Sequence, residues 1–139
     1  KQGSLRSYKS RSQFQQAAFV PFDTAYKDDI ERIKDHLSIS PIYSKVLYDK
    51  YKDVYYRFFF KEQSLKDNKG IYRGVFDKDL ILMVLNKEFQ IIGEKNLGKK
   101  YHPFFSYVSK KGLHIRKYKE LSTYQEVAPY EIITIFSWN

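Results

Sequence analysis

Hydrophobic positions along the chain change period near residue 40. Between Asp23 and Leu37, Tyr26, Ile30, Ile33 and Leu37 recur at spacings of four, three and four, the stripe of an amphipathic helix. Asp23 or Thr24 is placed to cap its start, and Ser38-Ile39-Ser40-Pro41 ends it. Asp28, Asp29, Glu31, Lys34 and Asp35 fill the opposite face, so the expectation is one helix over 23–38 lying on the side of a β domain.

Beyond Pro41 the period is two. Ile42 to Tyr48 and Val54 to Phe60 read as strands around the polar turn Asp49 to Asp53. Alternation sets Tyr55, Arg57 and Phe59 on one face and Tyr56, Phe58 and Phe60 on the other. A polar stretch from Gln63 to Gly70 follows. Leu80 to Leu85 (LILMVL) is continuous and suits a strand buried on both faces. Asn86-Lys87-Glu88 turns it into Phe89 to Glu94. Phe104 to Val108 and Leu113 to Tyr118 form another pair around Ser109 to Gly112, with Gly112 at the left-handed turn position. Leu121 to Pro129 reads as a loop, and Tyr130 to Trp138 as a closing strand.

Three hairpins of one plan therefore begin near Ile42, Leu80 and Phe104. The implied layout is a four-stranded unit over 41–97 and a three-stranded unit over 101–139. Four antiparallel strands in about fifty residues is the grammar of a propeller blade. Residues 1–22 form a polar, basic lead-in, equally readable as a strand near Ser7 to Phe14 or as a tail, and Ala17 to Val20 is a short apolar patch.

Composition agrees with a β fold. Tyr 13 and Phe 11 among 139 residues favour half-buried pleated surfaces. With no cysteine, disulfides and thiolate metal sites are excluded. No apolar run is long enough for a membrane-spanning helix, and no signal peptide is visible. A first residue of Lys1 points to a processed, trimmed or fragmentary chain.

The net charge of +9 is concentrated. Eight Lys and Arg and no acid lie between Lys95 and Lys119, among them Lys99, Lys100, Lys110, Lys111, Arg116, Lys117 and Lys119. Tyr101, Phe104, Phe105, Tyr107 and Tyr118 are interleaved with them. Such a stretch can grip single-stranded nucleic acid; the plainer expectation is a solvated face whose lysines block edge-to-edge aggregation.

Catalytic and metal motifs are wanting. His36, His102 and His114 show no ligand spacing, and Gly70 and Gly74 lack the partners of a phosphate loop. Asp49 and Asp53 flank one turn, as Asp77 and Asp79 precede one strand, and turn stabilisation explains both pairs. Neither a cofactor nor a catalytic residue is expected. Arg57 stands apart: an arginine among aromatics is expected to stack on a Tyr or to pair with an acid such as Asp49. Arg57, Tyr55, Tyr48 and Asp49 are accordingly the candidate ligand-binding set.

Several runs carry a family resemblance. Pro41-Ile42-Tyr43 through Tyr48-Asp49, Val54-Tyr55-Tyr56-Arg57, Val84 to Phe89 with Ile92-Gly93-Glu94, and Gly112-Leu113-His114-Ile115 resemble an uncharacterised, Bacteroides-type family of TolB-like six-bladed β-propellers. The resemblance covers Pro41 to Trp138 well and the first forty residues less well, and it implies a fold without naming a site. It implies a mainly β chain of about two blades, the C-terminal part of a longer propeller, with the remaining blades or another copy covering its edges. It also implies an exported or lipid-anchored protein of the cell envelope or periplasm, while composition leaves the cytoplasm open. The expected function is a non-enzymatic binding or scaffold module of the bacterial cell envelope, its ligand unknown, with an envelope protein or glycan as partner. The alternative is a basic nucleic-acid-binding domain.

Overall fold

A computed structural model describes residues 11–16, 21–74, 77–99, 101–117 and 130–133. Expectations for residues 1–10, 17–20, 118–129 and 134–139 lie outside the described residues. Among the described residues the chain is mainly β, with antiparallel sheets and one α-helix, as the period-two pattern implied. The first sheet is a meander in chain order: β1 (Ile42–Asp49), β2 (Val54–Phe60), β3 (Leu80–Leu85) and β4 (Ile91–Gly98). The second holds β5 (Tyr101–Ser109), β6 (Gly112–Lys117) and β7 (Tyr130–Ile133), also in chain order.

Every residue of β3 is buried. Central placement between β2 and β4 satisfies its backbone, and both faces of the sheet are covered, so a wholly apolar strand costs nothing in exposed surface. Alternation then sorts two cores. Tyr56, Phe58 and Phe60 join Leu80, Leu82 and Val84 against Leu113 and Ile115 of the second sheet. Phe59, Ile81, Met83 and Leu85 form the opposite core, with Tyr43, Tyr55, Ile91 and Phe14 packed on it. Burying each such side chain contributes about 1.5–3 kcal/mol.

The helix differs from expectation. Thr24–Tyr26 is a single 3-10 turn, with Asp23 Oδ1 accepting from the Ala25 amide at 2.9 Å. α1 runs Ile30–Ile39 and is capped by Asp29, whose Oδ1 accepts from the Arg32 amide at 3.1 Å. Asp29 is extended (φ −94°, ψ 94°), because a side chain that bonds its own backbone competes with the helical ladder. Ser40 precedes Pro41 and is forced extended, which ends the helix. Of α1, only Ser38 is buried. Ile30 is 64% exposed, and Tyr26 and Leu37 are exposed too, so the apolar stripe is not packed on the sheets. Instead the Arg32 guanidinium covers the Tyr26 ring at 3.8 Å.

Candidate functional site: the outer face of the first sheet

β2 carries Tyr55, Arg57 and Phe59 to the face turned away from the second sheet, as alternation requires. The Arg57 guanidinium carbon lies 4.3 Å from the centre of the Tyr43 ring. That ring is tilted against Phe59 at 5.2 Å. Tyr55 is stacked on Phe89 at 4.8 Å and lies 5.0 Å from Tyr48. Phe89 reaches Tyr55 because it adopts a left-handed backbone (φ 58°) in the β3–β4 turn, where Asn86 Oδ1 accepts from the Gln90 amide at 2.8 Å.

Residues 11–16 cross this face as a turn. Phe14 packs on the apolar centre. Glu94 Oε2 accepts from the Gln13 amide at 2.9 Å, and Glu62 Oε1 accepts from the Gln16 amide. The Tyr43 hydroxyl donates to Gln15 Oε1 at 2.5 Å. Burial raises the Tyr43 pKa; Arg57 and Arg11 oppose that shift, and Glu94 and Glu62 add to it. The hydroxyl therefore stays protonated and donates.

The four proposed ligand residues do not form one site. Arg57 and Tyr55 share the outer face. Tyr48 is 51% exposed at its margin, and its hydroxyl donates to Asp53 Oδ1 at 2.8 Å. Lys87 forms an ion pair with the same carboxylate and, with the Tyr48 bond, lowers the Asp53 pKa. Asp49 is fully buried and is not the partner of Arg57. Its carboxylate accepts from the Tyr51 and Lys52 amides at 2.9 and 3.1 Å and from the Tyr56 hydroxyl at 2.9 Å. Burial first, and the Asp49 bond second, push the Tyr56 hydroxyl pKa strongly upward. Asp49 is thus a turn residue that also anchors a core tyrosine. Asp77 plays a similar part, its Oδ2 accepting from the Gly74 amide at 2.7 Å.

The basic stretch is divided. Lys110 and Lys111 occupy the β5–β6 turn, whereas Lys99 lies before β5 at the other end of the hairpin. A nine-residue strand separates them, a span of about 27 Å. Lys117 pairs with Tyr101 at the Lys99 end, and Lys100 and Lys119 lie outside the described residues. Arg116 sits 5.4 Å from the Phe105 ring. Phe104 and Phe105 are 58% and 52% exposed. His102 contacts both rings, and burial followed by Arg116 lowers its pKa. His114 is buried, stacked on Tyr107 at 4.4 Å, with Nε2 at 2.7 Å from Ser109 Oγ. Among the described residues no group of three or more His, Asp or Glu is placed to hold a metal ion, and no helix is long and apolar enough to cross a membrane.

Two lysines escape sequence reasoning. Lys78 is 1% exposed, donates to the Ser40 carbonyl, and is pushed down to about 8 by burial against a smaller upward pull from Glu62. A lysine one residue before the Asp79 and Leu80 strand entry carries no sequence signal of burial. Lys45 donates to the Phe104 and Ser106 carbonyls at 2.9 and 2.6 Å, linking β1 to β5, and burial lowers its pKa. Both carbonyls lie where the β5–β6 register shifts, between His102 and Tyr107.

These features define a class: serial antiparallel sheets packed face to face, with polar side chains gathered on an outer face. A family model described as Domain of unknown function (DUF4221) matches residues 1–96, and the chain belongs to that family. Among solved structures, a member of the DUF4221 family from Bacteroides vulgatus is similar over 66% of this chain, at 35% identity and a TM-score of 0.54. The match covers 25% of that protein, so the matched part of the chain spans about a quarter of its length. No curated protein matches the chain.

Proposed function

We propose that the chain supplies about two blades of a TolB-like, six-bladed β-propeller and acts as a non-enzymatic binding or scaffold module of the bacterial cell envelope. The observation that supports this most is the packing of Tyr56, Phe58 and Phe60 against Leu113 and Ile115, one meander's face on the next. Successive blades stack in this way. A family relative four times the matched length supplies the room for further blades. The remaining blades, or a second copy, are the partners at the sheet edges, and an envelope protein or glycan is the external ligand. An exported or lipid-anchored location, in the envelope or periplasm, is what the family resemblance implies. The test is fractionation of cells expressing the native parent protein, followed by co-sedimentation of the purified chain with envelope glycan. Recovery with envelope membranes and retention on glycan are expected. Recovery in the cytosol with no retention would overturn the proposal.

A second reading, binding of single-stranded nucleic acid, draws on exposed Phe104 and Phe105 beside Arg116. It predicts affinity that falls steeply with salt. Binding insensitive to salt in a mobility-shift titration would remove it.

A further inference from the structure

Residues 11–16 are held to the first sheet as a ligand is held. They add no strand to it: β1 to β4 pair with one another, and the segment is a turn closed by the Gln15 amide donating to the Ser12 carbonyl at 3.2 Å. The turn is organised from within. Ser12 Oγ accepts from the Phe14 amide at 3.0 Å, and Arg11 Nη2 donates to the Gln15 and Gln16 carbonyls at 3.4 and 3.3 Å. What it offers outward is a short list of groups: the Phe14 ring, the Gln13 and Gln16 amides, and the Gln15 side-chain oxygen. The sheet meets each with a side chain. The apolar centre of Phe59, Ile81, Met83 and Leu85 takes Phe14. Glu94 and Glu62 take the two amides, and Tyr43, held between Arg57 and Phe59, takes Gln15.

We propose that this face is a receptor for a tight turn presenting Phe-Gln, occupied in cis by residues 11–16 and able to take the same turn from a second copy of this chain. Recognition rests on one aromatic anchor and on carboxylates aimed at backbone amides, so the occupant needs no covalent continuity with the sheet. The two amides lie one residue before and two after the anchor, and the residue after the anchor must carry an acceptor. The proposal goes beyond the envelope module and does not depend on it.

A cis segment at millimolar effective concentration masks the site from a peptide in trans. Weakening the cis turn unmasks it. Gln13→Pro removes the amide that Glu94 accepts, at the second position of a turn, where proline is tolerated. The probe is a fluorescein-labelled peptide of residues 9–18, followed by anisotropy on the full chain carrying either Phe14→Ala or Gln13→Pro. Either variant is expected to bind the peptide at least about tenfold more tightly than the wild-type chain does. Adding Glu94→Ala should reverse about tenfold of that gain, and a peptide with Phe14→Ala should not bind. Circular dichroism identifies which variant keeps the fold, and that variant decides the question. A folded variant that does not bind the peptide overturns the proposal, as does binding indifferent to Phe14 or Glu94.

Discussion

The Arg57 guanidinium carbon stands 4.3 Å from the centre of the Tyr43 ring. This contact turns an arginine that alternation places beside Phe59, Ile81 and Met83 into a packing residue. Its aliphatic stem covers apolar surface while its charge meets the ring. Arg57→Ala should lower the unfolding free energy by about 1–2 kcal/mol, and Arg57→Lys by less, measured by urea denaturation. Unchanged stability in Arg57→Ala would contradict the packing role.

Asp49 and Tyr56 form a buried pair at the β1–β2 turn. Tyr56→Phe removes one donor and leaves two amides on the carboxylate, so a loss of about 1–2 kcal/mol is expected. Asp49→Ala strands the Tyr56 hydroxyl and two turn amides together and should cost about 3 kcal/mol or more. Equal losses in the two variants, measured by thermal denaturation, would show that the turn amides contribute nothing.

Lys78 gives stability a distinctive pH dependence. Its folded pKa of about 8 lies below the ordinary lysine value of 10.5. Between those values the unfolded chain binds the proton and the folded chain does not, so stability rises with pH through this window. The penalty for burying the charge is fully present below pH 8. Lys45 is shifted in the same direction and reinforces the rise. Tyr43 and Tyr56 are raised, so their contribution is lost above their unfolded pKa near 10, which ends the useful window there. A gain of about 2 kcal/mol from pH 7.5 to 9.5 is expected, read from urea midpoints, and Lys78→Met should remove most of it. A flat profile in the wild type would contradict the burial of Lys78.

Lys45 ties the two sheets together through the Phe104 and Ser106 carbonyls. Lys45→Met keeps the aliphatic stem and deletes both bonds. Faster amide exchange in β5, with β3 unchanged, is the expected result. Uniformly faster exchange would mean that the junction is not a local feature.

Much of the fold is legible because a period of two is unambiguous where one face is buried. The sorting of Tyr55, Arg57 and Phe59 from Tyr56, Phe58 and Phe60 follows from it directly. That Arg57 stacks on a Tyr or pairs with an acid is legible; that the partner is Tyr43 rather than Asp49 is not, because the β1–β2 register shifts between Tyr43 and Val46. Asp49 reads correctly as a turn residue but not as the anchor of Tyr56, since a carboxylate near two lysines suggests exposure. The helix start was displaced by Asp29, whose capping bond is invisible in a hydrophobic pattern. The seat of residues 11–16 is hidden for a simpler reason: backbone amides, which every sequence possesses, make two of its contacts.

The first sheet is covered on one face by the second sheet and on the other by residues 11–16. Hydrogen exchange at the Gln13 and Gln16 amides tests this most directly, because surface turns otherwise exchange freely. Slow exchange at both amides in the wild-type chain is predicted, with Glu94→Ala releasing Gln13 and Glu62→Ala releasing Gln16. Free exchange at both in the wild-type chain would contradict it.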